Sequence, residues 1–255
     1  MTMRKKLYVF VASAFVIHFL FIYAKSSPFE KVNSGNAVAT LQELNSDIPG
    51  TDVAAKNNGS LFDSLNLGAL GLSREAFNYA MAGYKSLRSA GKLNNDKVLS
   101  IVDFSLASSK KRLFVIDLNN NKVLFNTYVS HGRNSGREVA SQFSNQAESN
   151  KSSLGFYVTG DTYQGKHGFS LRLLGEEKGI NDNANSRAIV MHSAAYVSEA
   201  AIKMQGFIGR SLGCPALPEA LNKPIIDKIK NGSCLFLYSP DKSYVSNSPM
   251  LRKIA

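Results

Sequence analysis

The sequence predicts a β-rich domain, mostly strands with flanking helices, and three observations support this fold class. Short segments rich in Val, Ile, Leu and Phe recur from residue 98 onward, separated by Gly, Asn, Asp and Ser. Two of these segments are joined by Asn119-Asn120-Asn121, which is typical of a hairpin turn because asparagine tolerates left-handed backbone. Amphipathic helical periodicity is confined to a few segments around them. We therefore expect a β-sandwich or barrel with helices on its flank.

The N-terminal residues predict an export segment. Basic residues 4–6 precede an uncharged, mostly apolar run over residues 7–24, and Lys25 ends this run. A helix of this length is near the lower limit for spanning a bilayer, so residues 1–25 are expected to be a signal peptide or an uncleaved signal anchor. The rest of the chain is then expected in the periplasm or another extracytoplasmic part of the cell envelope. It would be attached to the membrane if the segment is not cleaved.

Composition divides the remainder of the chain. Residues 26–60 are rich in Asn, Ser, Gly, Asp and Ala, which predicts a flexible linker. Residues 61–96 are predicted to form a helical extension packed on the domain, because apolar residues recur at spacings of three and four between the N-cap Ser73 and Ala90. The β-rich domain is expected at 97–240 and a C-terminal tail at 241–255.

Seven strands and two further helices are predicted inside the β-rich domain. The strands are expected at residues 98–106, 112–118, 122–130, 155–159, 169–174, 188–192 and 234–238. The helices are expected at residues 197–205 and 219–229.

The chain is basic, with a formal net charge of +11. This charge suits a polyanionic neighbour such as a cell-wall polymer. Lys and Arg are scattered, however, and outside the N-terminus no run is longer than Lys110-Lys111-Arg112. We interpret these residues as a solvated face and do not expect nucleic-acid binding.

The two cysteines lie in different surroundings. In an oxidising compartment such a pair is commonly a disulfide. Cys234, however, lies in an apolar run that predicts a buried strand, whereas Cys214 lies in a Gly-Cys-Pro turn. Separate roles are therefore favoured over a disulfide.

The pairing of His192-Ser193 with the later Gly213-Cys214-Pro215 points to nucleophilic chemistry. Glycine and proline place the thiol on an irregular turn, and His192 follows an apolar run that ends at the mouth of a site. An adjacent imidazole is expected to lower the pKa of the thiol. The carbonyl or hydroxyl of Ser193 is expected to orient the ring. The amides expected to form an oxyanion hole are those of Leu212, Gly213 and Cys214.

These motifs resemble the L,D-transpeptidase (YkuD-like) catalytic-domain family, over about residues 97–240. The matching segments are His192-Ser193, Gly209-Arg210-Ser211-Leu212-Gly213-Cys214, Val129-Ser130-His131-Gly132 and Ser153-Leu154-Gly155-Phe156-Tyr157. The ending Pro215-Ala216-Leu217 resembles the murein L,D-transpeptidase branch.

The resemblance implies an exported enzyme that acts on peptidoglycan stem peptides. Such enzymes acylate a cysteine with the stem tetrapeptide and expel the terminal D-alanine. An acceptor amine then forms a 3→3 cross-link, or water completes an L,D-carboxypeptidase reaction. The implied roles are Cys214 as nucleophile, His192 as base and later acid, and Ser193 as the residue whose carbonyl orients His192.

The resemblance leaves the substrate contacts open. Leu212 replaces a residue that is often polar in the family. Arg210, Arg187 or Arg172 is expected to hold the substrate carboxylate. Ser211 is a further candidate for substrate binding.

Two more histidines are candidates for the site. His131 is expected to line the cleft or to lie on a surface loop, and His167, flanked by glycines, is expected to contact substrate. A metal site built from His131, His167, His192 and Cys214 is disfavoured because no short ligand spacing is present. We expect neither a metal nor another cofactor.

Two other functions remain open from the sequence. The first is a purely hydrolytic cysteine peptidase or amidase of the cell wall. The second is a catalytically inactive wall-binding module.

Overall fold

The computed structural model describes residues 61–252. The predicted export segment at 1–25 and linker at 26–60 lie outside the described residues, as do residues 253–255. Within the described range, no helix has the length and apolarity needed to cross a membrane.

Helix α1 spans Arg74–Ser89 and confirms the helix predicted in this region. The Ser73 hydroxyl accepts a hydrogen bond from the Ala76 amide and so caps the helix. Its buried face packs against the sheet through residues spaced by three and four, namely Ala76, Phe77, Ala80, Met81, Gly83, Tyr84 and Leu87.

Eight strands form the sheet, so the chain is β-rich as predicted. They are β1 (Val98–Asp103), β2 (Leu113–Asp117), β3 (Lys122–Thr127), β4 (Gly155–Gly165), β5 (Gly168–Gly175), β6 (Val190–Ser193), β7 (Ala216–Leu217) and β8 (Cys234–Tyr238). The order is β3-β2-β1-β8-β4-β5-β6-β7. The pairs β1–β8 and β6–β7 are parallel and the others antiparallel.

The β-rich fold with few helices is confirmed, and the strands form one mixed sheet, a half-barrel. The described strands form one mixed sheet with β3 and β7 as its edges, because β8 inserts between β1 and β4. Cys234 of β8 faces Leu99 on one side and Val158 on the other, and all five residues of β8 are buried. The last strand in the sequence, β8, therefore lies in the interior of the sheet.

Three further helices lie after β6. They are α2 (Glu199–Gln205), α3 (Glu219–Ile229) and α4 (Lys242–Asn247). The first two were predicted, and α4 was not. The hydroxyls of Tyr244 and Ser248 donate to the buried carboxylate of Glu177, and Leu251 is fully buried in the main core. Residues 242–251 thus pack against the sheet.

A long hairpin joins β4 to β5. The sequence predicted that β4 ends at Thr159, but the strand continues to Gly165 after an irregularity between Thr159 and Thr162. Polar residues such as Asp161 and Gln164 break the apolar pattern there, although the backbone still pairs with β5. The tip carries His167 and turns at Gly168, whose φ of +75° favours glycine.

Candidate active site

The parallel pair β6–β7 brings the two predicted catalytic segments together. His192 lies opposite Ala216, and Ser193 lies opposite Leu217. Cys214, two residues before Ala216, therefore comes alongside the start of β6. Its Sγ accepts a hydrogen bond from the Val190 amide at 3.5 Å and donates to the Ala188 carbonyl at 3.8 Å.

The pKa of Cys214 differs from the expectation. Burial raises the pKa of the Cys214 thiol, although the Val190 amide and the charge of Arg187 act in the opposite direction. Among the described residues, the hydrogen-bond partners of Sγ are backbone groups of β6 and the segment before it, and the imidazole is not one of them. The pKa of Cys214 is therefore shifted upward, opposite to the lowering by an adjacent imidazole that was predicted from sequence.

His192 is poised as a neutral base. It is almost fully buried at the end of β6, and its Nδ1 lies 2.8 Å from the carbonyl oxygen of Ser193. We assign the proton to Nδ1, which donates to that oxygen, so Nε2 keeps its lone pair. Burial lowers the pKa of His192, and the nearby His167 lowers it further, while the Ser193 contact raises it. At neutral pH the ring is therefore ready to accept a proton.

His167 reaches this site from the tip of the β4–β5 hairpin. Its ring stacks on the ring of His192, with centroids 4.4 Å apart and an angle of 22° between the planes. The hydroxyl of Ser193 donates to the His167 carbonyl at 3.2 Å. The His167 side chain is otherwise exposed, so it also borders the space above His192.

Serine hydroxyls hold the turn that carries Cys214. The carbonyl of Cys214 accepts from Ser211 at 2.6 Å and from Ser130 at 3.4 Å, and the carbonyl of Gly213 accepts from Ser152 at 3.1 Å. The φ of Gly213 is +127°, and a Cβ there would lie 2.9 Å from the Lys151 carbonyl oxygen. Glycine is therefore required at position 213.

The same contacts change the predicted oxyanion hole. The Gly213 amide donates to the Ser211 hydroxyl at 3.1 Å and so is already occupied. Within residues 61–252, the amides of Leu212 and Cys214 have no protein acceptor, so these two of the three predicted donors keep a free N–H. Ser211 is buried, and its hydroxyl accepts from the Gly213 amide and donates to the Cys214 carbonyl, so this hydroxyl is engaged within the turn; its contact with substrate stays a prediction.

His131 differs from both expectations for it, since it is fully buried and lies neither in the cleft nor on a surface loop. Its Nδ1 accepts from the Arg112 guanidinium at 2.7 Å, and its Nε2 lies 3.2 Å from the Gly136 carbonyl. Burial and the Arg112 charge lower the pKa of His131 to about 4. Its carbonyl accepts from the Ser211 amide at 2.9 Å, which ties this histidine to the catalytic turn.

Arg112 is a buried residue whose environment sequence reasoning missed. It belongs to the basic run that was interpreted as a solvated face, but its side chain is fully buried. It donates to the carbonyls of Val129 and Leu106 and lies over the Phe104 ring at 5.0 Å. Burial lowers its pKa to about 9. No local sequence signal distinguishes this arginine from the lysines before it.

The three candidate arginines differ in their hydrogen bonds and in their contacts. Arg187 donates four hydrogen bonds to the segment 144–153, with Lys151 O at 2.7 Å. Arg172 lies over the Tyr163 ring at 4.7 Å. Arg210 is exposed and anchored by one nitrogen to the carbonyls of Arg133 and Gly136, and its remaining donors have no acceptor in the described part of the chain. Within residues 61–252, Arg172 and Arg210 are thus both exposed with unused guanidinium donors, whereas Arg187 is engaged within the protein.

Both cysteines are free thiols, as favoured from the sequence. No group of three or more His, Cys, Asp or Glu side chains suited to a metal ion occurs among the described residues.

Comparison with known proteins gives one family match. The family model of the L,D-transpeptidase catalytic domain matches residues 69–238. No curated protein matches the chain.

Several solved structures are similar to the chain. An L,D-transpeptidase from Mycobacterium smegmatis has 15% sequence identity and a TM-score of 0.35, covering 56% of this chain and 59% of that chain. An L,D-transpeptidase in complex with imipenem has 13% identity and a TM-score of 0.35, covering 56% and 59%. The L,D-transpeptidase from Xylanimonas cellulosilytica has 13% identity and a TM-score of 0.32, covering 73% and 93%. The chain therefore spans 59% of the length of the first two.

Proposed function

The chain belongs to the L,D-transpeptidase catalytic-domain family, and from this premise we propose that it is an exported cysteine acyltransferase of peptidoglycan stem peptides. One observation carries the proposal at the level of the site. The parallel pairing of β6 and β7 sets Cys214 beside the strand that ends at His192, whose Nδ1 is engaged by the Ser193 carbonyl. Nucleophile, base and orienting group are thereby collected on one edge of the sheet.

The proposed reaction begins from a neutral thiol and a neutral imidazole. The Cys214 thiol leaves the Ala188 carbonyl, gives its proton to His192 Nε2, and its sulfur attacks the L-centre carbonyl carbon of the third stem residue. The amides of Leu212 and Cys214 stabilise the oxyanion. The C–N bond to the terminal D-alanine then breaks, and His192 returns the proton to the leaving amine. A thioester on Cys214 remains.

The second half of the reaction restores the enzyme. An acceptor amine from another stem gives a proton to His192 and attacks the thioester carbon. The C–S bond breaks and the sulfur takes the proton back from His192, leaving a 3→3 cross-link. Water in place of the amine gives the L,D-carboxypeptidase outcome. We propose Arg210 as the group that holds the substrate carboxylate, because it is exposed and has donors left over.

The domain limits and the location belong to the same proposal. Residues 97–240 would form the catalytic domain, with 61–96 and 241–255 as additions to it. Residues 1–25 would export the chain to the periplasm or another extracytoplasmic compartment and anchor it if uncleaved, and residues 26–60 would separate the domain from the membrane. The partner would be the wall polymer, whose anionic character suits the net charge of +11.

The purified full chain incubated with a disaccharide tetrapeptide tests the proposal, with products resolved by mass. We expect release of D-alanine and 3→3 dimers, both lost in Cys214→Ser and retained in the matched variant Cys234→Ala. Tripeptides without dimers would support the hydrolytic alternative. Equal turnover by Cys214→Ser and the unmodified chain would contradict catalysis by Cys214, and no turnover by either would favour a wall-binding module.

A further inference from the structure

The β4–β5 hairpin places a second imidazole directly on the proposed catalytic base. The rings of His167 and His192 are nearly parallel, with centroids 4.4 Å apart. The ring of His167 therefore covers one face of His192. A single hydrogen bond from Nδ1 to the Ser193 carbonyl limits where the ring points, but a contact across its face restricts rotation about the remaining side-chain torsions.

Ser193 links the two histidines by a second route. Its carbonyl accepts from His192, and its hydroxyl donates to the carbonyl of His167 at 3.2 Å. The hairpin tip, the base and the orienting serine thus form a closed set of three contacts. The hairpin is also fixed close to its tip, because the Asn222 side-chain amide of α3 donates to the Phe169 carbonyl at 2.7 Å.

We propose that His167 is a positioning residue for His192. The inference rests on the proposed function, since positioning matters only if His192 moves a proton. The stacked ring holds the imidazole in the orientation that presents Nε2 to the thiol and shields one face from water. A base held in place before the substrate arrives contributes to rate through orientation, and small misplacements of such a group are costly.

The electrostatic consequence of the stack agrees with this role. A positive charge on His167 disfavours a second charge on His192, and the pKa of His192 is lowered by burial and by His167. Cys214 lies on the neighbouring turn, and the ionisable groups that act on or with this thiol in the described part of the chain are Arg187 and Tyr196. Removal of the His167 ring would therefore raise the pKa of His192 as well as loosen its orientation.

The test compares three variants of the full chain. His167→Ala removes the ring, His167→Phe keeps a flat ring without a charge, and Gln164→Ala changes an exposed side chain of the same hairpin as the matched control. The readouts are the pH dependence of Cys214 acylation by a carbapenem, separated into maximal rate and half-saturating concentration, and the NMR titration of the His192 imidazole.

We expect His167→Ala to lower the maximal acylation rate about tenfold with little change in half-saturation. The acid limb of the profile and the NMR titration of His192 should both move to higher pH. His167→Phe should recover most of the rate while its acid limb stays displaced, and Gln164→Ala should behave as the unmodified chain.

Three outcomes would overturn the inference. The first is an unchanged rate and an unchanged His192 titration in His167→Ala. The second is a change in half-saturation alone, which would make His167 a substrate contact. The third is a lowered melting temperature with no shift of the titration, which would make it a structural residue. The NMR titration does not require acylation of Cys214. If the carbapenem does not acylate Cys214 but the His192 titration still shifts in His167→Ala, the proposed function is contradicted while the contact between the two rings is supported.

Discussion

The two cysteines lie in regions that differ in solvent access and in secondary structure. Cys234 lies in the central strand β8, which pairs with β1 on one side and β4 on the other, and its side chain is fully buried. Cys214 sits in a turn held by serine hydroxyls and is only partly buried. Burial raises the pKa of both thiols. What separates a reactive from an inert cysteine here is therefore access and a neighbouring base, since the direction of the pKa shift is the same.

The largest expected effect is the selectivity of alkylation. Under native conditions iodoacetamide should modify Cys214 while Cys234 reacts only through global unfolding, which predicts a rate difference of about 10³-fold or more. Peptide mapping by mass spectrometry measures it, and modification of both sites should appear in denaturant. Similar native rates at both sites would break the comparison.

A second prediction concerns the support behind the Cys214 turn. The pKa of His131 is lowered to about 4, so between pH 6.5 and 4 the unfolded chain binds a proton that the folded chain does not. Stability is therefore full above about pH 6.5 and falls as the pH drops toward 4, by about 3 kcal/mol from this residue. His131→Gln should lose that part of the slope in urea unfolding measured across this range. An unchanged slope would show that the buried Arg112–His131 pair does not govern acid stability.

A third prediction follows from the raised pKa of Cys214. Below that pKa the thiolate fraction grows tenfold with each pH unit, so alkylation of the free enzyme should rise about 100-fold between pH 7 and pH 9. Stopped alkylation with mass readout gives the profile, and Cys234→Ala serves as the control. A plateau near neutral pH would instead indicate a thiolate and imidazolium pair in the resting site.

The smallest expected effect is on stability. Cys234→Ser places a hydroxyl in the apolar centre of the sheet and should cost about 1–3 kcal/mol. Cys214→Ser lies at a partly exposed turn and should stay within about 0.5 kcal/mol of the unmodified chain. Urea unfolding of the two variants measures both losses, from the shift in midpoint when the dependence of the unfolding free energy on urea is unchanged. Equal losses would mean that the turn is as tightly packed as β8.

Much of the sheet was predictable because its strands carry local signals. The β2–β3 hairpin, the buried β8 and the helices α1 to α3 follow from apolar periodicity and turn residues. The pairing of His192 with Cys214 was predicted from the Gly-Cys-Pro turn and the apolar run before the histidine, and the family resemblance agrees with it. The structure adds the β6–β7 register that explains it.

The remaining features depend on contacts between distant parts of the chain. Arg112 lies beside two lysines in the sequence. Its burial is tolerated because the carbonyls of Val129 and Leu106 and the Nδ1 of His131 accept from its guanidinium. The ring of His167 meets His192 because β4 continues through polar residues that carry no strand signal. The strand β7 is two residues long, which is too short for an alternating apolar pattern to predict it.

The insertion of β8 between β1 and β4 has a consequence for how the molecule is made. Leu99 of β1 pairs with Cys234 of β8, which lies more than half of the chain length later in the sequence. The middle of the sheet therefore cannot form until β8 is present. Contacts so distant in sequence slow folding, and until they form β1 and β4 offer open edges to other chains. A nascent or truncated polypeptide that lacks β8 would consequently be unable to complete the sheet and prone to aggregate, so that the β6–β7 edge would be supported only in molecules that contain β8.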